Sequence, residues 1–267
     1  MSRILLTGAA GGLGQVLRKR LRNWPGVKLR VSDIADLGAA EEGEEVVQCD
    51  LADLGAMLTL VDGVDQIIHL GGVSVEDTFD NILNANLRGV YNLYEAARQK
   101  GVSRIVFASS NHVIGFHTRE TQLDASSPMR PDSLYGVSKG YGELLARYYF
   151  DKFKIESACI RIGSSFPKPR NRRMLATWLS YDDLTALMKR VLEVDRLGFA
   201  IVYGVSANKE CWWDNHLSAY IGWEPEDSSE IFRSDEALVN EVVDPFDPAI
   251  EFQGGTFAAS GHFEDPQ

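Results

Sequence analysis

The feature that most constrains the fold of this 267-residue chain is a glycine-rich turn between an apolar strand and an amphipathic helix. The predicted strand, helix and following strand cover residues 3–7, 11–22 and 27–32. Glycines in the spacing GxxGxxG let the backbone bend sharply and approach a pyrophosphate at the helix N-terminus. The unit therefore predicts a dinucleotide-binding fold, with cofactor contacts at Gly8, Gly11, Gly12, Leu13 and Gly14.

The second predicted strand ends at Asp33, 19 residues beyond Gly14. A carboxylate there can accept hydrogen bonds from both adenosine ribose hydroxyls and repels a 2′-phosphate, so the sequence predicts NAD rather than NADP. Further cofactor contacts are expected after the third and fourth predicted strands, at Asp50, Leu51, Leu70, Gly71 and Gly72.

Strands and helices alternate along the first 165 residues. The further predicted strands cover residues 45–49, 66–70, 104–108 and 156–162, and the long helices cover 79–100 and 134–153. This alternation predicts an α/β fold with a doubly wound parallel Rossmann sheet. Beyond it the pattern loosens, and helices are predicted over 181–193 and 211–221 and a strand over 198–203. We therefore predict an NAD-binding domain over residues 1–165, which includes the catalytic residues, and a small C-terminal substrate-binding region over 166–267.

Composition excludes several classes of protein. The formal net charge of -11 disfavours partners such as nucleic acid and anionic membranes. The three cysteines lack metal-ligand spacing, so we expect no metal site. No apolar run reaches the roughly 18 residues of a membrane span, and the first strand begins within five residues of Met1. We expect a cytoplasmic protein.

A second motif lies on the helix predicted over residues 134–153. Tyr135 and Lys139 have the spacing YxxxK, which places them on one helix face. A nearby ammonium favours the phenolate of a tyrosine, whose ordinary pKa of about 10 is too high for a base at neutral pH. Tyr135 can then take a proton from a substrate hydroxyl while a hydride leaves the same carbon, and Lys139 can reach the nicotinamide ribose. Ser110, just after the fifth predicted strand, can donate to the reacting oxygen. Ser109 is the less favoured choice because side chains alternate along a strand.

Together these residues resemble the extended short-chain dehydrogenase/reductase family, the NAD-dependent epimerase/dehydratase family. The motifs that carry the resemblance are TGAAGGLG at 7–14, Asp33, CDL at 49–51, HLGG at 69–72, Asn86, Ser110 and YGVSK at 135–139. The resemblance implies a Rossmann sheet, a small C-terminal substrate region and the catalytic set Ser110, Tyr135 and Lys139. It also implies that Asn86 stabilises the active site beside the cofactor, and that the long helices pair between subunits of a homo-oligomer.

Over nearly its whole length the chain further resembles the uronate dehydrogenases of that family. The segments that carry this are HLGGVSVE at 69–76, FASSNHVIG at 107–115, RPDSLYGVSKGYGE at 130–143, RIGS at 161–164, RRMLATW at 172–178, WWDN at 212–215 and FQGGTF at 252–257. The resemblance implies NAD-dependent oxidation of C1 of cyclic D-galacturonate or D-glucuronate to an aldaro-lactone. The substrate contacts that it implies are Ser74, Ser110, Asn111, His112, Ser164 and Arg173.

Arginine clusters at residues 170–173 of this acidic chain, and from the residues alone a solvated loop is the plainer interpretation. The resemblance selects Arg173, whose guanidinium can bind a C6 carboxylate through two parallel hydrogen bonds.

Two alternative functions remain open. A nucleotide-sugar epimerase or reductase would use the same scaffold but needs a longer C-terminal region, whereas about 100 residues follow the last core motif. Dehydratases of the family carry an acidic pair where this chain has Asn111 and His112, which also favours a free sugar acid. A catalytically silent dinucleotide sensor is disfavoured because Tyr135 and Lys139 are both present. The choice between galacturonate and glucuronate stays open.

Overall fold

The computed structural model describes residues 2–263 and contains one seven-stranded sheet. The strand order is β3-β2-β1-β4-β5-β6-β7, and the pairs β1–β2, β2–β3, β1–β4 and β4–β5 are parallel. The strands are β1 (Ser2–Thr7), β2 (Val27–Asp33), β3 (Glu44–Gln48), β4 (Gln66–His69), β5 (Arg104–Ser110), β6 (Glu156–Ile162) and β7 (Phe199–Gly204). This is the doubly wound Rossmann order with a seventh strand, which confirms the predicted fold class.

Helices of very different lengths connect and follow the strands. They are α1 (Gly12–Leu21), α2 (Leu54–Leu60), α3 (Phe79–Ile82), α4 (Gly89–Lys100), α5 (Leu134–Phe153), α6 (Arg173–Thr177), α7 (Tyr181–Glu193), α8 (Glu236–Val239), α9 (Pro248–Glu251) and α10 (Thr256–Ala259). Short 3-10 helices cover Asn111–Ile114, His216–Ile221 and Ser229–Phe232. Within residues 2–263 we find no helix with the length and apolar character to span a bilayer.

The strands form where short apolar runs can be buried on both faces of a parallel sheet. In β1, residues Ile4, Leu5 and Leu6 are at most 1% exposed. Helix α1 buries one face through Leu17 and Leu21, so the 3.6-residue period of its sequence becomes a packed stripe.

The strand order reverses between β1 and β4, so the carboxyl ends of these two strands meet at the edge where such sheets bind ligands. Gly8 follows β1 with φ +71°, a conformation that favours glycine. A Cβ atom there would lie 2.6 Å from the carbonyl carbon of Leu70, which follows β4. The two loops therefore touch through their backbones.

The helix predicted over residues 79–100 is present, but its winding is not uniform. A π-helical stretch, Leu83–Arg88, separates α3 from α4, and Asn86 lies within it. Such turns hold one extra residue in a helix and are frequent at functional sites.

The prediction of a helix over residues 211–221 is wrong for the first half of that range. Only His216–Ile221 is helical, as a short 3-10 helix, whereas Trp213 forms a β-bridge with Leu123. The indole of Trp213 stacks on Tyr203 with ring centroids 5.2 Å apart and is 5% exposed. This core packing between distant residues outweighs the local helical pattern.

By compactness the chain divides into two units, each built from several segments. The first comprises residues 2–108, 141–159 and 194–200, with β1–β4, α1–α4 and the buried strand residues already described. The second comprises 109–140, 160–193 and 201–263, and a cluster around Tyr203 and Trp213 lies in its core. The division of the chain at residue 165 stays a prediction.

Candidate active site

The glycine turn of the first unit is shaped to approach a phosphate. A Cβ atom at Gly14 would overlap the carbonyl oxygen of Gly8, so the last glycine is needed for the close packing of α1 on the turn. At Gly12, in contrast, no atom lies within 4 Å of where a Cβ would be. Gly11 caps α1 without a side-chain hydrogen bond, so no cap side chain covers the first-turn N–H groups. The turn therefore fits the pyrophosphate of a dinucleotide.

Asp33 ends β2 and lies against this turn. Its Oδ2 accepts from the backbone N–H of Ala10 at 2.9 Å, and its Oδ1 accepts from that of Ala35 at 3.1 Å. Each carboxylate oxygen has a further acceptor site, and the residue is partly exposed. Asp33 is thus held in place with capacity left for ribose hydroxyls.

Asp50 and Leu51 follow β3 and lie in the same unit. Asp50 is exposed, and its Oδ1 accepts from the N–H of Ala52 at 2.9 Å. The side chain of Leu51 packs beside Gly71, where a Cβ would lie 2.8 Å from Leu51 Cδ1. Gly71 is therefore required by packing as well as by any approach of a cofactor.

Asn86 holds the loop that follows β4. Its Oδ1 accepts from the N–H of Val73 at 2.8 Å, and its Nδ2 donates to the carbonyl of Val73 at 3.0 Å. Gly72, with φ +125°, lies against the same amide, and Ser74 next to this clamp is exposed. The π-helical turn thus fixes the loop of predicted contacts Leu70–Gly72 and Ser74 through one buried amide.

In the second unit the structure brings Ser110 and Tyr135 together. Ser110 ends β5, its Oγ accepts from the N–H of His112 at 3.2 Å, and its hydroxyl is hydrogen-bonded to that of Tyr135. The Nζ of Lys139 lies 5.6 Å from the centroid of the Tyr135 ring, one helical turn along α5. Tyr135 and Lys139 are 7% and 6% exposed.

Burial displaces the pKa values of both groups. It raises the pKa of Tyr135 to about 12, against the opposing hydrogen bond with Ser110 and with a smaller contribution from the Asp132 carboxylate. Burial also lowers the pKa of Lys139 to about 8. The YxxxK spacing predicted a lowered tyrosine pKa, but in the chain by itself the loss of solvation has the larger effect.

Arg173 is held by three oxygen atoms of the second unit. Its Nη2 donates to Oδ1 of Asn111 at 2.8 Å, in the amide orientation that also lets Asn111 Nδ2 donate to the carbonyl of Ile162 at 3.1 Å. Its Nη1 donates to Ser164 Oγ at 3.4 Å and its Nε to the carbonyl of Gln253 at 2.7 Å. Burial and the nearby charge of Arg119 lower the pKa of Arg173 to about 10, so the group is cationic at neutral pH.

The other two clustered arginines have different surroundings. Arg170 is exposed and lies 3.7 Å from the ring centroid of Phe166. Arg172 donates from Nε to the carbonyl of Leu238 at 2.7 Å and so fixes α8. Of the three, Arg173 is the one placed with Asn111 and Ser164.

Sequence reasoning gave no role to two residues that surround His112. The Nδ1 of His112 lies 2.8 Å from Oδ2 of Asp132, and the ring of Phe257 stacks on the imidazole with centroids 3.8 Å apart. Both residues lie in the segments 130–143 and 252–257 that carry the resemblance. From its local sequence, Asp132 indicates only the start of a helix, and Phe257 indicates only an aromatic core residue. Their contacts with His112 become evident only in the folded chain.

The segment around Gln253 was also missed as part of the site. Its side chain is fully buried, accepting from Trp213 Nε1 at 2.8 Å and donating to the carbonyl of Thr121 at 2.7 Å. Gly255, with φ +66°, packs on Arg173, where a Cβ would lie 2.7 Å from Cδ. The C-terminal segment therefore builds part of the site in the second unit.

A protein-family model matches most of the chain. The model of the NAD dependent epimerase/dehydratase family matches residues 4–181. A uronate dehydrogenase of Pseudomonas syringae pv. tomato is 56% identical over 265 residues, which are 99% of this chain and 96% of that protein.

Solved structures are similar over the same extent. A glucuronic acid dehydrogenase from Chromohalobacter salexigens has 56% identity and a TM-score of 0.96, covering 99% of both chains. A mutant of uronate dehydrogenase from Agrobacterium tumefaciens, in complex with NAD, has 50% identity and a TM-score of 0.95, covering 99% of this chain and 100% of that chain.

Gly12→Asp should weaken NAD binding without weakening the fold. The new side chain enters open space at the start of α1, where an acidic residue is favourable, but its charge repels a pyrophosphate. We expect the Kd for NAD to rise by about tenfold or more, at an unchanged melting temperature of the apo protein. Gly12→Asn is the neutral control and should lose less affinity. Unchanged NAD affinity in Gly12→Asp would show that the pyrophosphate does not approach this turn.

Lys139→Met should change how stability depends on pH. The folded chain releases the Lys139 proton near pH 8, whereas the unfolded chain keeps it to its ordinary pKa of 10.5, so the free energy of unfolding rises with pH between these values. The variant lacks this gain. Between about pH 7.5 and about pH 9.5, the free energy of unfolding measured with urea should rise in the wild type by up to about 2 kcal/mol more than in the variant. Lys152→Met, which removes an exposed lysine of the same helix, is the control, and equal shifts in both variants would contradict the burial of charge at Lys139.

Proposed function

Because this chain belongs to the NAD-dependent epimerase/dehydratase family and groups with its uronate dehydrogenases, we propose that it oxidises C1 of cyclic D-galacturonate or D-glucuronate to an aldaro-lactone. It is an NAD-dependent oxidoreductase that acts on a uronate. The reacting carbon, the lactone product and the roles of the individual residues are our assignments.

The observation that carries the proposal is the guanidinium of Arg173. Three of its five N–H groups have acceptors among the described residues, at Asn111, Ser164 and Gln253, which leaves one N–H on each terminal nitrogen. Two parallel N–H groups match the two oxygens of a carboxylate. In a chain of net charge -11, a fixed and partly buried cation of this kind supports an anionic substrate such as the C6 carboxylate of a uronate.

Tyr135 is the proposed base for the C1 hydroxyl. The hydrogen bond between Ser110 and Tyr135 supports this assignment, because of two adjacent hydroxyl groups one can orient the reacting oxygen and the other can take its proton. Lys139 adds positive charge on the same helix face. NAD+ supplies the hydride acceptor when bound, and its positive ring adds to the charge of Lys139 that favours the phenolate.

Several residues are assigned to cofactor and substrate by the same proposal. For NAD these are Gly8, Gly11, Gly12, Leu13, Gly14, Asp33, Asp50, Leu51, Leu70, Gly71, Gly72, Asn86, Tyr135 and Lys139. Asn86 supports this set through the loop at Val73. For the sugar hydroxyls and carboxylate they are Ser74, Ser110, Asn111, His112, Ser164 and Arg173.

A homo-oligomer and a cytoplasmic location stay predictions. Exposed apolar side chains on α4 and α5 support self-association: Tyr91 is 45%, Leu144 65% and Tyr148 46% exposed.

Tyr135→Phe should abolish most turnover while changing the Kd for NAD far less, because the glycine turn and Asp33 are unchanged. Loss of the proton acceptor should lower kcat by about 10²- to 10⁴-fold. NADH absorbance measures turnover, and fluorescence titration measures the Kd for NAD. Tyr141→Phe, on the same helix, is the matched control and should retain wild-type kcat. A Tyr135→Phe variant with wild-type kcat would overturn the assignment of the base.

Arg173→Met should raise KM for galacturonate and glucuronate by about 10- to 100-fold, because a charged hydrogen-bonded pair is lost. The ratio of kcat/KM for galacturonate to that for galactose should fall in the variant. Arg170→Met removes a neighbouring exposed arginine and should keep the wild-type ratio.

The same NADH assay tests the substrate class in the wild type. We expect rapid NADH formation with free uronates, little with neutral hexoses and none with UDP-sugars. Equal rates on hexoses would contradict the carboxylate contact, and turnover of UDP-sugars alone would favour a nucleotide-sugar enzyme.

A further inference from the structure

Asp132 carries a buried carboxylate to which the proposed reaction gives no role. The residue is 7% exposed, its Oδ1 accepts from Ser133 Oγ at 2.9 Å, and its Oδ2 pairs with His112 Nδ1 at 2.8 Å. A Cβ atom at either Gly115 or Gly254 would overlap Oδ2. Two backbone segments thus close tightly around this one oxygen.

Helix capping does not explain Asp132. The residue precedes α5, but Oγ of Ser133 is the acceptor for the N–H of Gly136, at 2.9 Å, and so caps the helix. A buried carboxylate is costly unless it is paired, and its paired group here is the imidazole of His112. The carboxylate is therefore to be explained through His112.

The ring of His112 is fixed on three sides. Asp132 holds Nδ1, Phe257 stacks on one face at 3.8 Å, and the ring of Tyr135 approaches edge-on with centroids 5.8 Å apart. A carboxylate only accepts hydrogen bonds, so Nδ1 carries the proton. In the neutral ring Nε2 then presents a lone pair, and it has no hydrogen-bond partner among residues 2–263.

We propose that Asp132 is a positioning residue for uronate oxidation, which fixes the tautomer of His112 so that Nε2 accepts a hydrogen bond from a ring hydroxyl of the substrate. The inference rests on the proposed function in taking a uronate as the ligand. It adds a requirement that the substrate donate at this position.

Two of the proposed substrate contacts are mainly occupied as donors or already paired. Arg173 can only donate, and the amide of Asn111 is already bonded through both of its atoms to Arg173 and Ile162. A hydroxyl that faced an Nε2–H group would have to accept from it and find another acceptor for its own proton. The tautomer set by Asp132 removes that conflict, and a site built to bind a hydroxyl discriminates strongly against an analogue that lacks it.

Asp132→Asn keeps the shape of the side chain but can donate to Nδ1, which reverses the tautomer. The first measurement is ¹⁵N NMR of the five histidines in the NAD-bound enzyme, with His112 assigned from its loss in His112→Gln. We expect a protonated Nδ1 and an unprotonated Nε2 in the wild type, and the reverse in Asp132→Asn. An Nε2–H tautomer in the wild type would overturn the inference, and this arm does not depend on the variant folding.

The second measurement is kcat and KM for the preferred uronate and its 2-, 3- and 4-deoxy analogues. Each enzyme is assayed at its own pH plateau, because the charge of Asp132 also raises the pKa of Tyr135. In the wild type one deoxy analogue should lose about 100-fold or more in kcat/KM. In Asp132→Asn the kcat/KM for that analogue should lie within about threefold of the kcat/KM for the parent uronate. The change should arise mainly from KM, and the Kd for NAD should be unchanged.

Ser133→Ala is the structural comparator, because it removes the other contact of Asp132 and the cap of α5 but not the pairing with His112. It should lower stability and keep both the wild-type tautomer and the wild-type deoxy penalty. A full deoxy penalty in Asp132→Asn would overturn the inference while uronate turnover stands. Absence of uronate turnover in the wild type would instead overturn the proposed function, with the tautomer measurement still deciding the role of Asp132.

Discussion

The burial of two charged side chains, Arg173 and Asp132, determines much of the hydrogen bonding in the second unit. Removing an ion from water costs several kcal/mol unless partners compensate for the lost hydration. The guanidinium of Arg173 meets three oxygen acceptors, and the carboxylate of Asp132 meets a hydroxyl and an imidazole. The contacts that compensate for burial are also the contacts that hold Asn111 and His112 in one orientation. Stability and positioning are therefore not separable in this unit.

The C-terminal segment supplies this unit with close backbone contacts as well as with the ring of Phe257. Gly254 and Gly255 lie so close to Asp132 and Arg173 that no larger residue fits without displacement. Gln253 then fixes the segment by three side-chain hydrogen bonds in the core. This polar stretch has no clear periodicity in its sequence, and hydrogen bonds to residues distant along the chain hold it in place.

Local spacing predicted the sheet, the glycine turn and the YxxxK pair, because each depends on residues within one strand or one helical turn. The helix over residues 181–193 was predicted at its observed bounds for the same reason. Sequence reasoning missed what depends on distant contacts: the non-helical start at Trp213, the pairing of His112 with Asp132, and the stacking of Phe257. The direction of the Tyr135 pKa also depends on burial, which spacing does not reveal.

The π-helical stretch around Asn86 has a consequence for chain length. In regular winding one additional residue would rotate everything beyond it by about 100°, whereas the wider π-helical turns absorb it. The buried face of α4, with Leu93 and Ala97, follows this stretch. Deleting one residue between 83 and 88 would restore regular winding and leave α4 facing the same way, but it would remove the wide turns that carry Asn86. The additional residue therefore sets the position of Asn86 rather than the direction of α4.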